Sequence, residues 1–415
     1  MPEFVADGLF VFLLAHPFCV SVLWTIYGLI DLARPAASKR DPTTDTALDY
    51  TVIIPFYNEP EGALVSARSL AGVSPEPREI LLIDDGSVRG MPDDVALPRK
   101  TRVLRLETNG GKARALNAAL RAVRTELVVC LDADTQAVSQ DWRVMLARFR
   151  DPTLGAVTGK IWPAQPTRLI QQFQHLDYVA VIGLIKAAET NWGALLTVSG
   201  AFVAYRRRAL EAIGGWRDCT ATEDIDASWR LQELGWRLGY ERRWVCQAEM
   251  VPSIRGLWRQ RRRWSMGMGR CGRDHLLKAA RPRARQLPVA VTATFNVGWI
   301  FASLAAASAL LADFLFATEG ASLGWIPEAE DLSIYLLGSV VIFSAQLICA
   351  AALDGKPWTA YARLFLLGPF YPFYYWSLLF TSFLVGFPLG LMRRDRGKWR
   401  RTLRQREAAL AEVRA

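Results

Sequence analysis

Three stretches of this chain are too long and too apolar for the inside of an ordinary soluble domain, and they constrain everything between them. Residues 8–30 hold no charged side chain if His16 is neutral, and residues 286–312 and 332–353 hold none at all. Each is long enough to cross the hydrocarbon of a bilayer as a helix. A secretory leader is the competing reading of the first stretch. No positive n-region precedes it and no small-residue cleavage site follows, so it is expected to persist as a membrane helix. A fourth stretch, 364–392, carries Pro369, Pro372 and Pro388. These prolines leave open a single crossing or a re-entrant or interfacial hairpin, so three or four spans are expected.

The charges orient the spans. The 415 residues carry a formal net charge of +10. Lys and Arg cluster beside the apolar stretches, as they do on cytoplasmic flanks, so the charge reads as topology plus anionic substrate and lipid, with no nucleic-acid partner. Arg34, Lys39 and Arg40 follow the first stretch, and residues 278–285 are basic. No Lys or Arg occurs between Arg285 and Lys356, whereas the connecting loop carries Glu319, Glu328, Glu330 and Asp331. The N-terminus and that loop are therefore expected outside, with the large polar region in the cytoplasm of a multi-pass plasma-membrane protein. A single crossing by 364–392 would export the basic tail of Arg393, Arg394, Arg396, Lys398, Arg400 and Arg401, which favours the re-entrant form. Cys19, Cys130, Cys219, Cys246, Cys271 and Cys349 show no metal-like spacing and are expected to be reduced and buried.

Within the polar region, short β-rich runs alternate with helical periodicity. Residues 50–55, 79–83, 101–106 and 126–131 read as strands, and 111–124 as a helix with Ala115, Leu116, Ala119, Leu120 and Val123 on one face. This alternation implies a mostly parallel, doubly wound α/β sheet, with ligands beyond the carboxyl ends of its strands. Acids stand at those ends: Glu59 after the first run, Asp84-Asp85 after the second, Asp132-Ala133-Asp134 after the fourth. Turn chemistry accounts for Asp84-Asp85-Gly86 alone, but not for a second acidic pair at another strand end. Thr222-Glu223-Asp224 follows, as a helix cap, a chemical group, or both. Residues 254–277 form a basic amphipathic segment containing Gln260-Arg261-Arg262-Arg263-Trp264. The boundaries that result are a membrane helix and basic linker (1–47), a catalytic domain (48–252), an interfacial segment (253–285), a membrane region (286–392) and a basic tail (393–415).

These four motifs, in this order, resemble the signature of processive family-2 glycosyltransferases, membrane synthases with a cytoplasmic GT-A-type domain between transmembrane helices. Residues 183–186, 197–200, 222–226 and 256–258, leading into 260–264, look most like the branch that makes poly-β-1,6-N-acetylglucosamine for bacterial biofilms. The resemblance covers nearly the whole chain after residue 50. It implies polymerisation of N-acetylglucosamine from UDP-N-acetylglucosamine onto a growing polysaccharide, with Mg²⁺ or Mn²⁺ and a small accessory membrane subunit. Two departures weaken it: one N-terminal span where that branch has two, and no fused partner-subunit sequence. Chitin and hyaluronan synthases share all four motifs, and a glycolipid-forming transferase is a further alternative.

For the site, the resemblance implies Glu59, Asp84, Asp85, Lys112 and Asp132 on the nucleotide sugar and Asp134, with Asp132, on the metal. Lys112 otherwise reads as a solvated lysine at a helix start. Asp224, supported by Glu223, would take the proton of the attacking hydroxyl. Gln260, Arg263 and Trp264 would hold acceptor and diphosphate, while Arg259, Arg261 and Arg262 are expected among lipid headgroups. Residues 169–186 are expected to form a second interfacial helix, whose His175 and Asp177 read as satisfied surface or core residues.

Overall fold

The computed structural model describes residues 3–33, 48–220, 222–281, 284–316, 329–354 and 356–392. The flanking Arg34, Lys39 and Arg40, the loop acids Glu319 and Glu328, and the basic tail from 393 lie outside the described residues. An apolar helix α1 (Glu3–Ala33) precedes β1 (Tyr50–Phe56), α2 (Pro60–Arg68), β2 (Glu79–Asp84), β3 (Thr101–Arg105), α3 (Lys112–Ala122) and β4 (Leu127–Leu131). Next come β5 (Thr135–Ala137), α4 (Arg143–Arg148), β6 (Leu154–Ala164) and α5 (Leu169–Leu176). The latter continues through a π-helical stretch, Asp177–Gly183, into α6 (Leu184–Trp192). After β7 (Phe202–Arg206), α7 (Arg207–Ala212), α8 (Glu223–Glu233) and β8 (Arg237–Glu249), the chain forms α9 (Ile254–His275). The apolar part holds α10 (Leu287–Phe316), α11 (Ala329–Asp354), α12 (Ala362–Leu367), α13 (Tyr371–Tyr374) and α14 (Thr381–Met392).

Among the described residues, eight strands form one sheet in the order β3-β2-β1-β4-β7-β6-β8-β5. The first four are parallel neighbours. The apolar runs of β1, β2 and β4 are buried on both faces, as inner parallel strands require, while β3 at the sheet edge is partly exposed. Val52, Ile54 and Phe56 join one core with Ala63, Met145 and Leu146, whereas Ile53, Leu81 and Ile83 join another with Ala115, Leu116 and Ala119. This is the doubly wound half that the sequence implies. In the other half β7 runs antiparallel to both β4 and β6, and β5 antiparallel to β8. Charged residues such as Glu241, Arg242 and Arg243 interrupt β8, so no apolar run announces it.

This topology positions the site. Because β1, β2 and β4 are parallel, Phe56, Asp84 and Leu131 reach the same edge. Phe202 pairs with Leu131 at the start of antiparallel β7, so the chain leading into β7 comes to that edge too.

Among the described residues, four helical segments, Val11–Ile30, Leu287–Ser308, Leu337–Asp354 and Trp358–Met392, are long and apolar enough to cross a membrane. Helix α1 lies against α6 and α11, where Gly28 leaves room for Leu184 and Cys349. It meets α10 through His16 and Asn296 (2.9 Å) and through the Trp299 indole, which donates to the Leu13 carbonyl. A hairpin in the last segment would need a non-helical reversal, but the backbone is helical from Trp358 to Met392. Its hydrogen bonding tightens to 3-10 at Gly368–Phe370 and loosens to π at Tyr375–Phe380, the local adjustments by which helices absorb prolines. Cys130, Cys246, Cys271 and Cys349 are buried as expected; Cys19 is exposed and Cys219 half-buried, and all six are free thiols.

Helices α9 and α14 pack at backbone contact. A Cβ at Gly386 would stand 2.5 Å from the Arg262 carbonyl oxygen, one at Gly390 would fall on the Met266 carbonyl, and one at Gly269 on that of Phe387. Gly386 and Gly390 form the small-xxx-small spacing that permits such close approach. Replacing both by Ala is expected to lower stability by about 1–3 kcal/mol through overpacking, read as a lower thermal unfolding midpoint in detergent.

Candidate active site

Two loops at the carboxyl edge are tied together before any ligand is considered. Asn58 adopts a left-handed conformation (φ 56°), which Asn tolerates better than most residues. Its amide donates to the Ser87 hydroxyl, and its side-chain oxygen accepts from the Val88 and Arg89 amides. Asp84 and Asp85 are both fully buried. One Asp84 oxygen accepts from the Ser87 amide, while the other, with no hydrogen-bond partner, lies 3.7 Å from Arg105. Asp85 accepts from the Gly110 amide (3.0 Å) and the Gly111 amide (2.7 Å). Burial pushes its carboxyl up, and those two amides oppose the shift. In this structure Asp85 therefore holds the loop that presents Lys112. Gly111 (φ 90°) makes the turn into α3 in a conformation that suits glycine.

Lys112 is the centre of the cluster. Its ammonium stands 2.6 Å from Asp132, 3.3 Å from Glu223 and 3.4 Å from the Gly200 carbonyl. It is not a solvated helix-start lysine. Burial alone would lower its pKa, but the carboxylates of Asp132 and Glu223 hold it above the usual lysine value. Asp132 is pushed up to about 6 by burial, with Lys112 opposing and Asp134 adding to the rise. Among the described residues no three His, Cys or carboxylate side chains gather as a ready-made metal cage. The hard oxygens of Asp132 and Asp134, crowded with negative charge, instead fit a divalent cation that takes its remaining ligands from phosphate and water.

Across the edge, Asp224 opens α8. One of its oxygens accepts from the Gly200 amide and the other from the Ile225 amide, both at 2.9 Å. Asp224 is half-buried and Glu223 buried, so the more accessible carboxylate is Asp224. Thr222 occupies the cap position of α8, but its side chain makes no capping hydrogen bond. It packs on α9 instead: a Cβ at Gly267 would fall on the Thr222 hydroxyl. Gln260, Arg263 and Trp264 occupy the two turns of α9 before that contact.

The basic run divides differently from expectation. Arg263 is exposed, Trp264 half-buried and Gln260 buried. Arg261, expected among headgroups, is buried at 8% exposure and pairs with Asp177 at 3.0 Å. Asp177 is the satisfied core residue the sequence suggests. His175 is buried edge-on to Trp162 with its Nε2 unpaired, so it is core but not satisfied. Sequence reasoning missed a second clamp, in which His275 of α9 meets Glu233 (2.5 Å) and Asp226 (3.1 Å) of α8. Asp226 and Glu233 stand seven residues apart, two turns along one face of α8, but the partner histidine is distant in sequence.

Comparison with known proteins gives this arrangement a context. Residues 51–214 match the glycosyl transferase family 2 profile. A poly-beta-1,6-N-acetyl-D-glucosamine synthase of Staphylococcus aureus (strain COL) is 32% identical over 267 residues, covering 62% of this chain. That match spans 65% of the relative's own length, just under two thirds. A synthase of the same name from Staphylococcus epidermidis is 28% identical over 411 residues, covering 94% of this chain and 96% of that protein. A solved mannosyltransferase from Pyrobaculum calidifontis, in complex with GDP-Man and Mn²⁺, superposes with a TM-score of 0.59. At 24% identity, covering 85% of this chain and 99% of that one, it shows a shared fold.

The α8–α9 clamp generates a pH prediction. Burial would lower the His275 pKa, but the hydrogen bonds that its ring donates to Asp226 and Glu233 raise it above 6.5. Arg217 and Arg230 face Asp226, and Lys278 faces Glu233. A raised folded-state pKa means that the stabilisation is complete below about pH 6.5 and is lost as pH rises through the folded value. The thermal midpoint is expected to fall with rising pH through that window, and His275→Gln is expected to flatten the slope.

Proposed function

The chain carries a family 2 glycosyltransferase domain, and from that premise we propose that it polymerises N-acetylglucosamine from UDP-N-acetylglucosamine into a β-linked, 1,6-joined exopolysaccharide at the membrane. The observation that carries the proposal is the meeting of Lys112, Asp132, Glu223 and Asp224 around Gly200, delivered by three separate segments to one sheet edge. The product is argued from the named synthases that resemble this chain.

Glu59 would accept from N–H and hydroxyl groups of the base and ribose, while Asp84 and Asp85, fully buried, would act through the Ser87, Gly110 and Gly111 amides they hold. Lys112 stands where a diphosphate draws its ammonium away from Asp132. Asp132 and Asp134 would hold Mg²⁺ or Mn²⁺, which neutralises charge on the departing diphosphate. Asp224 accepts the proton of the acceptor hydroxyl while that oxygen bonds to the anomeric carbon. The bond from that carbon to the diphosphate oxygen breaks, and UDP leaves with the electron pair. A single displacement inverts the anomeric centre, so an α-linked donor gives a β-linked product. Trp264 stacks on the terminal sugar, and Arg263 and Gln260 reach diphosphate or sugar hydroxyls. Positive flanks support a cytoplasmic catalytic domain with an outside N-terminus, and a small accessory membrane subunit would assist synthesis.

Purified protein in vesicles, supplied with labelled donor and Mg²⁺, is expected to yield a high-molecular-weight product cut by a β-1,6-specific hexosaminidase and not by chitinase. Chitinase sensitivity would overturn the linkage, and label confined to the lipid phase would overturn polymerisation. Chelation is expected to stop synthesis and added Mg²⁺ or Mn²⁺ to restore it. Asp224→Asn is expected to cut turnover by about 10²–10⁴-fold, the usual weight of a general base, with donor affinity retained in a binding assay.

A further inference from the structure

One buried carboxylate joins three elements that are far apart in sequence. Asp177 opens the π-helical stretch after α5 and is 2% exposed. It accepts hydrogen bonds from Tyr371 (2.6 Å) and Tyr374 (2.8 Å) in the last apolar segment, and from Arg261 of α9 (3.0 Å). Arg261 then lies with its guanidinium carbon 4.3 Å from the centroid of the Trp264 ring. Neither Arg261 nor Asp177 belongs to the catalytic cluster, and neither is accessible enough to bind a soluble substrate.

We propose that Asp177 and Arg261 are positioning residues for the acceptor, with Arg261 covering one face of Trp264 so that the opposite face is held ready for the terminal sugar. The argument rests on geometry and solvation. An indole on a helix surface has several rotamers, and a planar cation stacked on it narrows that choice. The cation must itself be fixed. Arg261 is one turn before Trp264 on α9, and its charge is neutralised by a carboxylate that two tyrosine hydroxyls orient. A buried ion pair contributes little net stability compared with apolar residues of similar size, so folding alone gives weak reason for this one. Tyr371 and Tyr374 extend the set to the membrane segment, which thereby helps fix the acceptor ring.

The inference rests on the proposed polymerase reading, and the test separates the two. The variant pair Asp177→Leu with Arg261→Met replaces the ion pair by apolar side chains. Elongation of defined N-acetylglucosamine oligosaccharides in vesicles is then followed, together with UDP release and thermal stability. The expected result is a native-like unfolding midpoint and unchanged donor KM, with acceptor KM raised roughly tenfold, the scale of a lost desolvated cation–π contact, and shorter polymer. In a Trp264→Ala background the same pair is expected to bring little further loss, because the ring it positions is already gone. Wild-type acceptor KM in a folded double variant, or independent multiplicative losses, would overturn the proposal. Should the double variant fail to fold, Tyr371→Phe with Tyr374→Phe is expected to raise acceptor KM in the same direction at unchanged donor KM. No shift there would overturn it equally. Absence of any polymer from the wild-type protein overturns the polymerase reading and this inference with it.

Discussion

The ammonium of Lys112 is the interaction on which the candidate catalytic edge depends. Asp132, Asp134, Glu223 and Asp224 arrive there from β4 and α8, and unshielded carboxylates at such distances would repel. Lys112 offsets that repulsion by pairing with Asp132 and Glu223 at once. Its position is in turn fixed by Asp85, whose two oxygens hold the Gly110 and Gly111 amides. A strand-end acid, a glycine turn, a helix-start lysine and two further acids therefore form one connected chain of contacts. Substituting any one of them changes the electrostatics of the rest.

The second constraint lies toward the membrane. Helix α9 is gripped from three sides: by Thr222 at Gly267, by α14 at Gly269, Gly386 and Gly390, and by the carboxylates of α8 at His275. The same helix carries Gln260, Arg263 and Trp264. These contacts fix α9 against the turn that carries Asp224. The proposed chemistry would need such a fixed arrangement, because attack requires the hydroxyl, the base and the anomeric carbon to keep near-attack distances.

The acidic edge of the sheet was legible in the sequence because strand ends in a parallel sheet are local signals. An apolar run followed by an acid marks both the element and the place of its side chain, and Asp84, Asp85, Asp132 and Asp134 all follow that rule. Strand β8 escaped because Glu241, Arg242 and Arg243 break its apolar pattern. Arg261 was misread because a run of arginines on an amphipathic helix looks uniform, while burial distinguishes them. Only the packing of residues 177, 261, 371 and 374 singles out Arg261, and no local periodicity encodes that. The three prolines suggested a break in the last segment, yet a helix can absorb proline by changing its turn type, and here it does so at residues 368–370 and 375–380.

The anomeric configuration of the first bond formed tests the account most directly, since the proposed role of Asp224 as the base in a single displacement requires inversion. Product made from α-configured UDP-N-acetylglucosamine would be collected at low turnover and its anomeric proton coupling measured by NMR. The account predicts the large coupling of a β-linkage. An α-linked product would contradict the assignment of Asp224 as the base in a single displacement.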